Sequence, residues 1–197
     1  MQSELFRISN QIYQVYSNLA TVKRTIDLKT TNASESTVEH TFHLVLTCMG
    51  VCSHLGMGHS TTLRILKLAA IHDLHEFISG DMCSISGHSD SDKLDYEQKE
   101  SEAIDKLGFD FIDFWPELPD LLSEYHRQDS FPSRFVNALD KIIPFFVDLD
   151  SEMRNTKSKG VSYDSLKSNR TLAIENAPEE LKCLMSECLA HAKEYLY

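Results

Sequence analysis

Apolar side chains recur at helical spacing along most of the chain. Between residues 5 and 19 they fall three and four positions apart, which is the pattern of one face of an amphipathic helix. A second helix is predicted over Thr37–His54. A third is predicted to begin at Ser60 or Thr61, either of which can cap it, and to close at Gly80. The N-terminal half is therefore expected to be helical.

Polar segments separate the helices. Residues 21–36 lack periodicity and are predicted to form a loop, as is the Ser/Asp/Gly-rich segment 82–92. Residues 155–160 are predicted to form a basic, flexible connection. Because no alternating strand pattern of convincing length occurs, the expected fold is all-α, with one domain over residues 1–197. Further helices are predicted at 93–107, at 121–127, at 133–148, where Pro144 would introduce a kink, and at 179–195.

The apolar stripes also predict core side chains. In the first helix they are Leu5, Ile8, Ile12, Val15 and Leu19. In the second helix they are Val38, Leu44, Val45, Leu46 and Met49. In the third helix they are Leu63, Ile65, Leu66, Leu68 and Ile71.

Composition and charge narrow the class of ligand. The 197 residues carry a formal net charge of −11, which argues against binding to nucleic-acid polymers or anionic membranes. A small phosphorylated ligand remains compatible, because one divalent cation and a few basic side chains can reverse the local field. No apolar run approaches the roughly 20 residues that cross a bilayer. The five cysteines form no CxxC pair, so reduced thiols and a cytoplasmic location are expected.

Four side chains have the chemistry of a metal site. His72 and Asp73 end an apolar segment, and His40 lies on the preceding predicted helix. Asp140 interrupts an apolar helix, where a carboxylate is costly to bury unless it is paired or coordinated. Two imidazoles and two carboxylates suit Mn, Fe, Co, Ni or Zn. Taken singly, His40 also fits a satisfied core histidine, and Asp140 fits a surface aspartate.

Four ordered motifs resemble a known family. Arg24 is followed by VEHT at 38–41, HDLHEFISGD at 72–81, and FVNALDK at 135–141. Together they resemble the HD-domain phosphohydrolases, closest to the branch of small 5′-deoxynucleotidases and dNTP phosphohydrolases. The motif-bearing part covers about residues 24–141, and the C-terminal helices would complete an all-helical HD domain.

The resemblance implies roles for individual residues. One divalent ion (Co, Mn, Zn, Ni or Fe) would be held by His40, His72, Asp73 and Asp140. Catalytic carboxylates are implied at Glu76 and Asp73. Arg24 matches a phosphate-binding arginine, and Asp81 matches a carboxylate that contacts the sugar.

Three further residues lie within or after these motifs. His43 lies three residues after His40 and can either contact the substrate or belong to the core. Lys93 can either reach a phosphate or remain solvated. His75 falls inside the motif at 72–81 and is expected to face solvent.

Two departures from the branch affect specificity. Thr25 follows Arg24, where the 5′-deoxynucleotidases have a tryptophan that helps to exclude ribonucleotides. Residues 82–86 also lack the proline and lysine that the branch has after Gly-Asp. The preference for deoxyribose and the length of phosphate chain that is accepted are therefore open.

Several functions are compatible with these features. The first is release of nucleoside and phosphate from (deoxy)nucleoside 5′-monophosphates. Alternatives are release of triphosphate from a nucleoside triphosphate, hydrolysis of a signalling nucleotide, and a metal-binding scaffold without catalysis. Retention of the complete ligand set argues against the scaffold. A small nucleotide is the expected partner, with self-association as a dimer or higher oligomer, and with neither nucleic acid nor membrane as a partner.

Overall fold

A computed structural model describes residues 3–82 and 89–196, and it confirms an all-α fold with one small sheet. No helix in these two ranges is long and apolar enough to span a membrane. The helices are α1 (Glu4–Leu19), α2 (Thr37–His54), α3 (His59–Ile71), α4 (Glu76–Ser79), α5 (Asp90–Phe111), α6 (Leu118–Arg127), α7 (Phe131–Asp150), α8 (Arg154–Ser158), α9 (Tyr163–Ala173) and α10 (Glu179–Ala192). The strands are β1 (Lys23–Leu28) and β2 (Ala33–Ser36).

Helix α7 forms the centre of the core. It packs against α2, α3, α6, α10 and β1. The apolar side chains on its inner face are almost completely buried, as in Phe135, Leu139 and Ile142. Pro144 lies inside this helix, as the sequence predicts. Since Asp140 lies on the same buried face of α7, its carboxylate is in the interior of the protein.

The segment predicted as a loop at 21–36 is instead a β-hairpin. The two strands are antiparallel and pair Asp27 with Ser34 and Leu28 with Ala33. Asn32 turns the chain with φ of 49°, a left-handed conformation that asparagine tolerates. Alternate residues of β1 are more buried. With only Ile26 and Leu28 as apolar members, this period-2 signal was too short to recognise in the sequence.

A capping box fixes the start of α2. Ser36 Oγ accepts a hydrogen bond from Glu39 N, and Glu39 Oε2 accepts one from Ser36 N. The buried stripe of this helix is Thr37, His40, Leu44, Cys48 and Cys52. Leu46 and Met49, predicted as core, are 50% exposed. Their positions lie off the stripe, because each residue advances the helix by about 100°.

The third helix is shorter than the sequence predicts. Its N-cap is Gly58, so neither Ser60 nor Thr61 caps it. It ends at Ile71, and Gly80, with φ of 77°, closes the separate short helix α4. The helix therefore breaks immediately before His72 and Asp73.

Some apolar positions predicted as core are exposed because they lie on the outer sides of their helices. They are Leu5, Ile12 and Leu63. Residues 83–88, which include Cys83 and most of the loop predicted at 82–92, lie outside the described residues. Among the described residues, Cys48, Cys52, Cys183 and Cys188 are free.

The C-terminal quarter contains more ordered structure than predicted. The connection at 155–160 includes part of α8, in which Asn155 and Thr156 are buried. Asp148 holds this segment by accepting hydrogen bonds from the backbone nitrogens of both residues, at 2.8 and 3.0 Å. Helix α9 was not predicted. Its mixed polar sequence gives little periodicity, and it packs mainly through Leu166 and Arg170.

Candidate metal centre

Three parts of the chain bring the four predicted ligands together. His40 comes from α2, His72 and Asp73 from the break after α3, and Asp140 from α7. One ligand atom from each lies within 4.8 Å of the others. His40 Nε2 is 2.8 Å from Asp140 Oδ1, and His72 Nε2 is 2.9 Å from Asp73 Oδ2. The four residues therefore form a candidate site for one divalent ion.

The His72 ring is oriented for metal binding. Its Nδ1 lies 2.9 Å from the carbonyl oxygen of Ala69, which can only accept, so Nδ1 carries a proton. Its Nε2 is buried and makes no hydrogen bond of acceptable geometry. A buried nitrogen that faces two carboxylates without a hydrogen bond suits a metal ion, because the ion satisfies it. The residues present thus fit a divalent cation.

Glu35 lies behind the cluster and was not identified from the sequence. It is 2% exposed, and its Oε2 lies 3.7 Å from His40 Nδ1 and 3.5 Å from Arg24 Nε. A carboxylate in this place favours a proton on His40 Nδ1 and leaves Nε2 to coordinate. It also restrains the Arg24 guanidinium. Its sequence position, on a polar segment predicted as a loop, gave no signal for this role.

The aspartates of the cluster are held ionised by their neighbours. Burial alone would raise the pKa of Asp73, but His72 lowers it well below its usual range. Burial also opposes ionisation of Asp140, and Lys141 and His40 lower its pKa. Lys141 Nζ lies 2.8 Å from Asp140 Oδ2. Both groups are thus ionised at neutral pH, as metal ligands must be.

Glu76 has the opposite character. Burial and the charge of Asp73 raise its pKa to about 9. It accepts a hydrogen bond of 2.6 Å from Thr37 Oγ1. The charge of Asp81 also raises the pKa of Glu76, and burial raises the pKa of Asp81 itself. Neighbouring carboxyl groups oppose each other's ionisation, so Glu76 holds a proton beside the cluster.

Arg24 supplies positive charge at the same place. Its Nη1 lies 3.2 Å from Asp73 Oδ2 and 3.9 Å from Asp81 Oδ1. Burial opposes its charge, but the surrounding carboxylates raise its pKa further above the usual value. The guanidinium therefore stays charged beside the ligands, where phosphoryl oxygens can receive its hydrogen bonds.

Two cavities meet at the cluster. The first, named the cationic cavity, has a volume of about 100 Å³ and is lined by the basic residues Arg24, Lys141, Lys159 and Arg170 together with Asp73, Asp81 and Asp140. The second, named the aromatic cavity, has a volume of about 230 Å³ and is lined by Tyr96, Tyr125, His75 and His126 among others. Tyr125 places its ring edge-on to His72, with ring centroids 5.8 Å apart. Asp73, Asp140 and Lys141 line both cavities.

The weaker sequence candidates lie away from these contacts. His43 is half-buried on α2, and burial lowers its pKa. Lys93 is exposed near the start of α5. Neither residue lines the two cavities, so their substrate-binding roles stay predictions. The expectation for His75 was wrong: it is 5% exposed, and its Nε2 lies 3.4 Å from Glu100, because the break after α3 turns it toward α5.

The sequence profile of the HD domain family matches residues 16–182. Since this match covers most of the chain, the protein belongs to the HD domain family. The family part of the resemblance is confirmed, whereas the assignment to the 5′-deoxynucleotidase branch stays a prediction. No curated protein matches the sequence.

Two solved structures are similar in fold. A predicted metal-dependent phosphohydrolase from Magnetospirillum magnetotacticum MS-1 aligns over 98% of this chain and 96% of its own, with a TM-score of 0.77 and 23% identity. A conserved hypothetical protein from Pyrococcus furiosus aligns over 93% of this chain and 98% of its own, with a TM-score of 0.60 and 19% identity. At these identities the likeness establishes the fold.

Proposed function

We propose that the protein is a metal-dependent phosphohydrolase that converts (deoxy)nucleoside 5′-monophosphates into nucleoside and phosphate. Membership of the HD domain family and the four-residue cluster support the phosphohydrolase class. The fold-related Magnetospirillum protein is described as a predicted metal-dependent phosphohydrolase. The observation that carries the proposal is Arg24, held 3.2 Å from the ligand Asp73. The nucleotide substrate rests on the motif resemblance.

The site has the parts that ester hydrolysis requires. A divalent ion held by the cluster supplies Lewis acidity and lowers the pKa of water to near neutrality. Arg24 binds and orients the phosphoryl group, since a guanidinium matches two phosphoryl oxygens at once. Asp81 lies beside Arg24, and the motif resemblance supports a contact between Asp81 and the sugar. Burial of the ligands excludes bulk water and strengthens these electrostatic interactions.

Glu76 is the proton carrier in this proposal. In the metal-free protein its raised pKa of about 9 keeps it protonated at neutral pH. A protonated carboxyl can donate to the leaving ester oxygen, which becomes the 5′-hydroxyl of the nucleoside. The hydrogen bond from Thr37 fixes its orientation. This raised pKa favours proton donation over proton abstraction for Glu76.

A second candidate is the release of triphosphate from a (deoxy)nucleoside triphosphate. The same ester bond would break, so the same cluster would serve. The observation that favours it is the cationic cavity, in which basic side chains from the C-terminal quarter join Arg24. A cytoplasmic location and self-association as a dimer or higher oligomer stay predictions from the sequence.

The direct test is chromatography of reaction products. Chelator-stripped protein is reloaded with Mn or Co and incubated with mono-, di- and triphosphates of the common nucleosides and deoxynucleosides. Free nucleoside from monophosphates alone supports the first candidate, and nucleoside with inorganic triphosphate supports the second. Absence of turnover with every nucleotide, despite bound metal, would refute both and favour a scaffold.

The control for contaminating phosphatases is Asp73→Ala, purified in the same way. Asp73 is proposed both as a metal ligand and as a catalytic carboxylate, so the variant should be inactive. Residual activity in its preparation therefore belongs to another enzyme. Asp148→Asn is a second control, because Asp148 is a buried carboxylate on the same helix as Asp140 with a purely structural set of hydrogen bonds. It should retain the activity per folded molecule.

A further inference from the structure

The strand that carries Arg24 is irregular around that residue. Strand β1 pairs with β2 at Lys23 and again at Asp27, but the register shifts between these two positions. As a result, residues 24–26 of β1 oppose a single residue of β2. Bulges of this kind leave residues without a ladder partner, and they are frequent beside active sites. Pairing with β2 alone therefore does not fix the position of Arg24.

A side chain from the C-terminal quarter binds the backbone of β1 just beyond the irregular stretch. Asn155 Oδ1 accepts a hydrogen bond of 2.8 Å from the backbone nitrogen of Asp27. Asn155 Nδ2 donates one of 3.2 Å to the backbone oxygen of the same residue. The carboxamide thus offers one acceptor and one donor to Asp27, as a neighbouring strand would. This contact anchors β1 three residues after Arg24.

Asn155 is itself held by the helix that provides a candidate metal ligand. It is 7% exposed, and its backbone nitrogen donates a hydrogen bond of 2.8 Å to Asp148 Oδ1. Asp148 is buried on α7, about two turns after Asp140. One helix and three hydrogen bonds therefore connect Asp140 to the strand that carries Arg24.

The turn before Asn155 has an unusual backbone. Glu152 and Met153 are consecutive non-glycine residues with φ of 55° and 59°, in the left-handed region that such residues rarely adopt. Conformations of this kind persist only where the surrounding structure holds them, and they are frequent at functional sites. The turn folds the chain back against the end of α7, where Asn155 reaches β1.

The position of β1 matters because of the way in which an arginine binds phosphate. The guanidinium donates paired hydrogen bonds in a fixed plane, so a small displacement of its backbone costs affinity. A misplacement of about 1 Å can reduce a rate by about 100-fold. Since Arg24 lies in the irregular stretch, its place beside Asp73 depends on the anchor at Asp27.

We propose that Asn155 is a positioning residue that sets the place of Arg24 for phosphoryl binding. This inference rests on the proposed function, and it adds a residue outside the family motifs to the phosphate-binding part of the site. Asn155 lines neither the cationic nor the aromatic cavity, so it acts through β1 and does not touch the substrate. The four candidate ligands come from other parts of the chain, so its loss should leave metal binding intact.

Binding of inorganic phosphate tests this role without turnover. Calorimetry on metal-reloaded protein, freed of excess metal, measures the phosphate affinity, and metal analysis measures the occupancy. Asn155→Leu removes both hydrogen bonds to Asp27 at similar side-chain size. It should weaken phosphate binding by about tenfold, as the loss of one charge-assisted contact predicts, and keep one metal ion per chain. Unchanged phosphate affinity, loss of the metal, or a wild type that binds no phosphate would overturn the proposal.

A double-mutant cycle separates the positioning of Arg24 from a general effect on the fold. Arg24→Met removes the guanidinium and should weaken phosphate binding by at least about tenfold, while the metal ion still binds the anion. In that background Asn155→Leu should cause a further change of less than about twofold, because the group that it positions is absent. A second tenfold loss in the double variant would contradict the proposal.

Matched variants control for stability. Thr156→Val removes the hydrogen bond from the neighbouring buried hydroxyl to Asp148, and it should lower the Tm without changing phosphate affinity. Asp148→Asn keeps an oxygen for the backbone nitrogen of Asn155 and should retain phosphate binding as well. Loss of phosphate affinity in Thr156→Val to the extent seen in Asn155→Leu would contradict a role through Arg24.

A milder variant keeps the test decisive if Asn155→Leu does not fold. Asn155→Asp retains the acceptor for the nitrogen of Asp27 and replaces only the donor, so an oxygen then faces the oxygen of Asp27. It should weaken phosphate binding by at least about threefold, which is less than the loss of a whole charge-assisted contact. Wild-type affinity in Asn155→Asp would also count against the proposal.

Steady-state kinetics with nucleoside 5′-monophosphates connect the anchor to the reaction. Asn155→Leu should raise the KM by about tenfold, in line with the weaker binding of phosphate. A lowered kcat with an unchanged KM would overturn a role in phosphoryl binding. Because the phosphate measurements need no hydrolysis, a wild-type protein that cleaves no nucleotide would refute the proposed function and leave the double-mutant cycle to decide the role of Asn155.

Discussion

Two pairs of carboxylates lie at or beside the candidate metal centre, and they hold protons in opposite ways. Asp73 and Asp140 lie against histidines and basic groups that keep their pKa values low. Glu35 and Glu76, one layer further out, have pKa values raised to about 7 and about 9, chiefly by burial. Desolvation opposes the ionisation of all four, so the neighbouring charges decide the difference.

This contrast separates two tasks within one site. The ionised aspartates are suited to coordinate a divalent cation, because a carboxylate must lose its proton to bind metal. The outer glutamates are suited to hold a proton or to orient a neighbour. Pairs of titratable groups whose surroundings push their pKa values apart are typical of acid–base sites. Each carboxylate can be replaced by its amide to test this division.

The largest effect on activity is expected from changes to Asp73 and Asp140, the two candidate metal ligands. Asp140→Asn should abolish stoichiometric metal binding and reduce kcat/KM by at least about 10⁴-fold, because the activated water and the phosphoryl charge both depend on the ion. Metal analysis after gel filtration and steady-state kinetics measure these changes.

The matched control for that variant is Asp148→Asn on the same helix. Asp148 accepts hydrogen bonds from Asn155 and Thr156, so the variant should lose about 1–3 kcal/mol of stability. It should still bind one metal ion per chain. Loss of metal in Asp148→Asn as well would show that the test reports general unfolding.

A smaller loss is expected from Glu76→Gln. The variant should keep its metal and lose about 10²- to 10³-fold in kcat, the range of one general acid or base. The KM should change little, because the amide retains the shape and the contact with Thr37. Loss of metal from this variant would place Glu76 among the ligands and break the division between the two pairs.

Glu35→Gln should act on metal affinity. A carboxylate that orients a metal-bound histidine contributes about 10- to 100-fold to affinity, so the dissociation constant for Mn or Co should rise by about that factor. Glu39→Gln is the matched control, since Glu39 is an exposed capping residue four positions away. An unchanged metal affinity in Glu35→Gln would remove Glu35 from the site.

The smallest effect is on stability as a function of pH. Glu76 has a pKa of about 9 in the folded, metal-free protein and of 4.5 in the unfolded chain. Its contribution to the stability of the fold is fully present below pH 4.5 and is lost as the pH rises through 9. The contribution of Glu35 to stability has the same sign and is lost as the pH rises through about 7. The Tm of the metal-free protein should therefore fall between pH 6 and pH 9.

Glu76→Gln should flatten that dependence. The amide has no proton to lose, so at pH 9 the metal-free variant should melt higher than wild type by about 3 °C. Differential scanning calorimetry at several pH values measures this. A wild-type Tm that rises from pH 6 to pH 9 would contradict the raised pKa of Glu76.

The sequence was sufficient for the features that depend on local pattern or chemistry. The apolar stripes predicted α1 and α2, and the cost of burying Asp140 pointed to a coordinated carboxylate. His40, His72 and Asp73 could be added because their residue types and motif order are specific. The structure then brings the four within coordination distance of one ion.

What the sequence could not supply depends on long-range packing. The β-hairpin has too few alternating apolar residues to be recognised from the sequence. It nevertheless positions Arg24 and Glu35 beside the candidate metal ligands. Lys159 lies 134 positions from Thr25 along the chain, and no local pattern joins them. His75 was expected in solvent because the break in α3 depends on tertiary contacts.

The central claim is that one divalent ion, held by His40, His72, Asp73 and Asp140, supports phosphate-ester hydrolysis. The most direct measurement is a titration of chelator-stripped protein with Mn or Co while phosphate release from nucleotides is followed. Activity should be absent without metal, rise linearly to one equivalent per chain, and then stay constant, with no rise in Asp140→Asn. Full activity in the stripped protein, or the same rise in Asp140→Asn, would contradict the claim.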